Sequence, residues 1–232
     1  MNFHISPART AGLLYLIVVV TGFLSLAYIP SQLFVYADAA KTVETIRASE
    51  GLFRIGIAAG LICYTAYLLL AFALYRLLGN ANNHAAVLMV ALVVAGVPVS
   101  FGSIISELNV LRLVSGAAYV QGFTTDQLNA SVTLSLVDYR NEILIAKIFW
   151  GLWLLPFGYL VFKSGILPRV LGVLLMVGCF GYLIDVFGRT LFTEYSASRL
   201  SSFATKPAAL GEIGTCLWLL IMGARNTTRS VA

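Results

Sequence analysis

Charged side chains make up only 11% of this 232-residue chain, where a soluble domain usually carries about a quarter. With a hydrophobic share of 59%, that shortage excludes an ordinary water-soluble globule. Histidine is nearly as scarce. His4 and His84 are the only two, and both fall outside the apolar runs, so histidine-assisted serine chemistry and histidine-rich intramembrane metal sites lack a base and ligands. The three cysteines, Cys63, Cys179 and Cys216, stand on separate runs without a CxxC spacing, which leaves them as packing thiols. No basic helix or aromatic-interleaved basic patch stands apart from the runs, so the net charge of +5 has no nucleic-acid reading and fits anchoring to anionic headgroups. The sequence assigns no cofactor, no metal ligand and no catalytic residue.

What the chain does have is long apolar runs. A bilayer core about 30 Å thick needs roughly 20 residues at 1.5 Å rise. Six such runs are present, at about 8–29, 52–78, 85–114, 143–162, 170–189 and 208–224. Their length and the lack of period-two alternation exclude a barrel, since backbone groups in lipid must be paired within the segment. The expected fold is an all-α membrane protein, a single domain over 1–232, built as a bundle of six transmembrane helices. Arg9 ahead of an apolar stretch with Ser25-Leu-Ala27 imitates a signal peptide, but the run is longer than an h-region and is expected to stay uncleaved.

Two short connections, near 79–84 and 163–169, alternate with three longer ones near 30–51, 115–142 and 190–207. The longer ones are not structureless. From Asp38 to Glu50, Ala39, Val43 and Ile46 oppose Lys41, Glu44 and Arg47, which predicts a short amphipathic helix at the outer face. Thr124-Thr-Asp-Gln127 reads as a capping box that opens a second short helix through Leu128, Val132 and Leu136.

Acidic residues are missing from one side altogether. The side that holds both termini and the short connections carries Arg9, Arg76, Lys163, Arg169, Arg225 and Arg229, while all ten acids fall on the other. A bare count of basic residues does not favour placing that side in the cytoplasm, since the other nine lie opposite, mixed with the acids over about twice the length. Basic density and loop length favour both termini in the cytoplasm of a cell (inner) membrane.

Ionisable residues at membrane depth are costly and usually face the bundle interior. Counting rise from the run ends puts Glu212 about 18 Å, and Asp185 and Lys147 about 22 Å, from the cytoplasmic edge. Arg54, Glu107, Glu142 and Arg189 fall near the outer interface. Asp185 with Arg189 and Glu50 with Arg54 each have the acid four residues ahead, the favourable helical order. Lys147, Asp185, Arg189 and Glu212 are therefore candidates to ring an outward-facing polar pocket, with Arg54, Glu107 and Glu142 at its mouth. One reading is a site for a small molecule, lipid or ion, with Glu212 and Asp185 holding a cation or proton and Lys147 or Arg189 an anionic group. The other is a structural salt-bridge network in a scaffold subunit. Carboxylate acid–base catalysis by Asp185 or Glu212 is a residual third reading, without the Gly-x-Gly-Asp setting of an intramembrane aspartyl protease.

Small residues mark packing faces at Gly56-Ile-Ala-Ala-Gly60 and from Gly96 to Ser100, and the first permits a homo-oligomer. Pro98 and Pro156 lie inside runs, where each frees a carbonyl and favours a kink. Most tyrosines and tryptophans, Tyr15, Tyr64, Tyr67 and Tyr182 among them, read as interface belts and packing; Trp150 and Trp153 share one turn next to Lys147, where a cation–π contact is conceivable and packing is the commoner outcome. Asn129-Ala-Ser131 and Asn226-Thr-Thr228 match glycosylation acceptors, and only the first faces outward. Membrane lipids are the expected partners.

Four stretches carry a resemblance: Ala8-Arg-Thr-Ala-Gly-Leu-Leu-Tyr-Leu; Ser49-Glu-Gly-Leu-Phe-Arg-Ile-Gly; Leu167-Pro-Arg-Val-Leu-Gly-Val-Leu-Leu-Met-Val-Gly with Gly181-Tyr-Leu-Ile-Asp; and Glu212-Ile-Gly-Thr-Cys-Leu-Trp-Leu-Leu-Ile-Met-Gly. Together they resemble the bacterial membrane family of domain of unknown function 4386. The resemblance implies a prokaryotic six-helix inner-membrane protein and supplies neither an activity nor catalytic residues. It places Arg54, Arg169, Asp185 and Glu212 inside the matching stretches.

Overall fold

A computed structural model describes residues 6–35 and 38–224, with only the backbone of Tyr119. His4, Arg225, Arg229 and the Asn226 triplet lie outside the described residues. All regular structure among them is helical, and five helices are long and apolar enough to cross a membrane.

The first span starts as α1 (Pro7–Phe23), passes through a widened turn at Leu24–Tyr28, and continues as α2 (Ile29–Leu33). The cause is Pro30, which has no amide to give Leu26; one residue earlier the Ile29 amide reaches back to the Leu24 carbonyl, and the helix carries on through the proline. The run expected to end at Ile29 therefore reaches Leu33. Next comes α3 (Ala39–Ala48), the expected outer amphipathic helix. Asp38 caps it by accepting from the Lys41 amide at 2.8 Å, Thr42, Val43 and Ile46 are buried, and Lys41 pairs with Glu44 on the exposed side. The second and third spans are α4 (Glu50–Leu78) and α5 (Asn83–Val114), with Pro98 held inside α5.

The second short outer helix does not exist as a separate element. Its capping box forms as expected, with the Thr124 amide donating to Gln127 Oε1 at 2.9 Å and the Gln127 amide to Thr124 Oγ1 at 3.3 Å. The helix it opens, α6 (Thr125–Leu152), then runs straight into the fourth apolar segment. No glycine or proline between Leu136 and Ile143 stops it, so the polar Asp138–Glu142 stretch is helix and not loop. A break at Trp153 separates α6 from α7 (Leu154–Ser164), because Pro156 cannot donate to the Leu152 carbonyl. The fifth span is α8 (Arg169–Leu191). A 3-10 turn at Thr193–Ala197 and α9 (Arg199–Phe203), capped by Ser198, lead into α10 (Lys206–Ile221). This sixth apolar segment is a helix of 16 residues, about 24 Å long, and falls short of a full core thickness.

The described chain forms two compact units: Met1–Leu16, Ala66–Val97 and Ile145–Ala232 make the first, and Ile17–Thr65 and Pro98–Leu144 the second. In the first, α8 packs between α7 and α10. Lipid gives helices no hydrophobic reason to associate, so close approach through small residues carries the packing. A methyl group on Gly172 would sit 2.6 Å from the Gly158 carbonyl oxygen, and one on Gly158 2.5 Å from that of Gly172. Gly178 meets Ala208 in the same manner, and Gly12 brings α1 against the Leu219–Leu220 backbone of α10. Trp153, fully buried, stacks on Phe157 at 5.0 Å and meets Tyr67 edge-on at 5.1 Å. In the second unit Gly56 faces Ile29, and Gly60 faces Ile104 and Ser25, so both glycines of that motif are occupied within the unit. Phe34 there meets Phe53 and Tyr139 edge-on. The three cysteines are buried and form no disulfide, as packing thiols should.

The packing makes a direct prediction. Gly172→Ala drives a methyl into backbone on both α7 contacts and should cost about 1–3 kcal/mol. Gly51→Ala, with open space around it, should leave stability unchanged or slightly raised. Thermal unfolding in detergent compares the two, and equal midpoints would rule out the close α7–α8 approach.

Candidate functional site

The expected site residues separate into two groups, one in each unit. In the first unit the centre is Asp185 on α8, only 2% exposed. Its Oδ2 lies 2.9 Å from Lys147 Nζ and its Oδ1 accepts from Arg189 Nε at 2.8 Å. The i,i+4 spacing delivers Arg189, whereas Lys147 arrives from α6. Arg189 is steadied further by Ser196 Oγ at 3.3 Å. Both carboxylate oxygens are spent, and both cations keep partial access to solvent. Beside this clamp Gly188 admits the buried Tyr195 ring, whose hydroxyl has no hydrogen-bond partner among the described residues. Burial, and after it the Asp185 carboxylate, raise the Tyr195 phenol above its ordinary value, while Arg189 pulls the other way.

Glu212, on α10, is treated differently. It is half-buried, and its Oε1 accepts a long hydrogen bond of 3.4 Å from the Tyr15 hydroxyl. It makes no ion pair among the described residues. Tyr182 stands within electrostatic reach of both Glu212 and Asp185. Thr215, three residues on and fully buried, has a hydroxyl without a hydrogen-bond partner among the described residues. An acid with one hydroxyl contact thus stands without a counter-charge among the described residues, inside an apolar bundle. Such a group can hold a proton or a cation; it offers nothing to an anion.

In the second unit α5 turns a polar stripe inward: Ser100, Ser103, Ser106 and Glu107 are all buried. Ser103 Oγ donates to the Ser100 carbonyl at 2.7 Å and lies 3.4 Å from the Tyr64 hydroxyl. Ser106 Oγ donates to Glu142 Oε2 at 2.8 Å, for which Gly102 leaves room. Glu107, 3% exposed, makes neither a hydrogen bond nor an ion pair among the described residues. Arg54 pairs with Glu50 at 2.7 Å on an exposed face, as its spacing implied, and with neither Glu107 nor Glu142.

Reading the sequence missed Tyr15, Tyr64, Tyr182, Thr215 and the serine stripe. The serines had a signal, since 100, 103 and 106 recur at helical spacing and end beside Glu107. Tyr15 had none: it is fully buried, not part of an interfacial belt, and its partner is 197 residues away.

Helices of spanning length with ionised groups neutralised inside them define a multi-pass all-α membrane protein. Residues 10–223 match the family described as domain of unknown function 4386, and the chain belongs to that family. An uncharacterized protein of Archaeoglobus fulgidus is 36% identical over 88 residues, which cover 38% of this chain and 50% of that protein. The chain thus spans about half the length of this relative. No solved structure matches the chain.

Breaking the clamp tests its structural weight. Asp185→Asn leaves two cations facing each other and should destabilise by about 3 kcal/mol, the lower end for a broken buried pair because Lys147 and Arg189 retain water. Adding Lys147→Met to Asp185→Asn should recover part of that loss, read as a coupling energy from thermal unfolding of the two single variants and the double.

Proposed function

We propose that this protein binds a small cationic ligand, the proton included, at Glu212 inside the membrane. The observation that carries the reading is the contrast between two acids in one unit. Asp185 has both oxygens neutralised by Lys147 and Arg189, whereas Glu212 has, among the described residues, only a 3.4 Å hydroxyl contact. A charge at membrane depth costs roughly 2.5–3.5 kcal/mol on insertion scales, so an acid kept without a counter-charge invites a positive ligand. Tyr15 supplies a hydroxyl oxygen to it, and the Tyr67–Trp153–Phe157 aromatic cluster continues from Tyr15, whose ring lies 6.4 Å from Phe157. A carboxylate backed by aromatic faces suits an organic ammonium as well as a proton. An anionic ligand is disfavoured, because Lys147 and Arg189 are already committed to Asp185.

In the same proposal Lys147, Asp185 and Arg189 are structural, a reading supported by their geometry as a clamp between helices. The orientation in this proposal has both termini in the cytoplasm of a bacterial inner membrane, supported by the basic, acid-free side of the chain.

Glu212→Gln keeps the Tyr15 hydrogen bond and removes the charge. Without ligand it should unfold at the same temperature as the natural protein or higher. Infrared titration in nanodiscs should show a carboxyl C=O band in the natural protein that the variant lacks, and tetramethylammonium should raise the midpoint of the natural protein alone if the ligand is an organic cation. A destabilised variant, with no titrating band lost and no difference in ammonium response, would make Glu212 a structural residue and end the binding reading.

A further inference from the structure

We propose that the groove between α1 and α4 is a binding site for one anionic phospholipid, held by its phosphate on Arg76. The groove lies wholly within the first unit and has a volume of about 790 Å³. That is ample for part of an acyl chain and too open to be a sealed packing void. Its walls are Thr10 and Leu14 from α1 and Leu69, Phe72, Ala73 and Arg76 from α4.

Polarity is graded along it. From Leu69 through Phe72 to Arg76, α4 goes from apolar to cationic over about 10 Å. On α1 the order is reversed in sequence, from Thr10 near the helix start to Leu14 a turn further in. Since both Thr10 and Arg76 line this groove near the ends of their helices that share the acid-free side, its polar parts gather at that end and its apolar parts lie deeper. That is the profile of an amphiphile lying along the helices, headgroup at the interface and chain in the core. Leu69 and Phe72 are each about half exposed, at 51% and 48%, so the deep part faces hydrocarbon.

The sign of the headgroup follows from Arg76. It is exposed and makes neither a hydrogen bond nor an ion pair among the described residues. No acid occurs on its side of the chain to compete for it. A guanidinium presents a planar fork of donors that matches a phosphodiester bidentately. The Thr10 hydroxyl, which donates a long 3.4 Å bond to the Ser6 carbonyl, can turn to the same headgroup. Zwitterionic lipid would bring its own ammonium beside Arg76, and a phosphatidylglycerol-type headgroup would not.

The test is native mass spectrometry of the full chain, delipidated in detergent and then supplied with equal amounts of dioleoylphosphatidylglycerol and dioleoylphosphatidylcholine. The expected result is one retained phosphatidylglycerol in preference to phosphatidylcholine. Arg76→Gln should cut that preference about fivefold, the worth of one interfacial basic residue. Ala73→Trp, which fills the groove, should lower retention of both lipids. Arg169→Gln, on the same side but outside the groove, should change neither. Equal retention of the two lipids, an unaltered preference in Arg76→Gln, or an equal loss in Arg169→Gln would overturn the proposal, the last by showing general surface attraction instead of a site. Because Glu212 is untouched in every variant, the outcome is independent of the cation reading.

Discussion

A carboxylate inside hydrocarbon must be neutralised, and how each acid meets that demand organises this molecule. Asp185 meets it twice over, with a lysine from one helix and an arginine from its own. The gain is not mainly stability, since a buried ion pair often does no better than well-packed apolar groups. It is registry: the pair sets the Lys147 turn of α6 against one turn of α8, alongside the close approach of Gly151 to Cys179 and Tyr182 on the same interface.

Once that register is set, glycines can be matched. Gly158 opposite Gly172, Gly178 opposite Ala208 and Gly12 opposite the Leu219–Leu220 backbone each require a particular neighbour within about one residue's rise. A slip of one turn would put side chains where only hydrogen fits. Charge pairing and close packing in the first unit are thus one constraint seen twice, and the aromatic core of Trp153, Phe157 and Tyr67 fills what the close approach leaves. The break at Trp153 belongs to the same logic: Pro156 cannot continue the ladder, and the redirected α7 is the helix that meets α8 through Gly158.

How far this was legible in the sequence depends on range. Long apolar runs and caps are local signals, and they located the spanning helices and α3. The continuous α6 was hidden because polar residues from Asp138 to Glu142 look like a loop when hydropathy alone is read, although none of them breaks a helix. Arg189 with Asp185 and Arg54 with Glu50 were legible from i,i+4 spacing. Lys147 was recognised as deep, but its choice of Asp185 rests on tertiary packing 38 residues away. Which partners the four charges expected around a pocket, and the three expected at its mouth, would choose was hidden for the same reason, since depth in a membrane constrains one coordinate and leaves the other two to packing. Tyr15 on Glu212 could not be read at all, because an aromatic near a helix start fits a belt and a core equally well.

What neutralises Glu212 is therefore the open question the fold poses, and its own helix does not answer it. Lys206 lies six residues earlier, about 9 Å along α10, and its ammonium sits 3.7 Å from the centre of the Phe203 ring. The helix macrodipole favours an anion only within the first turn, and Glu212 is beyond it. Lys147 and Arg189 are bound to Asp185, so drawing either away would expose that acid in turn. The Tyr15 hydroxyl shares the charge without cancelling it, at a distance near the limit of a hydrogen bond. With the nearby cations among the described residues accounted for, the completing positive charge in the proposed reading is a proton on the carboxylate or a cation beside it.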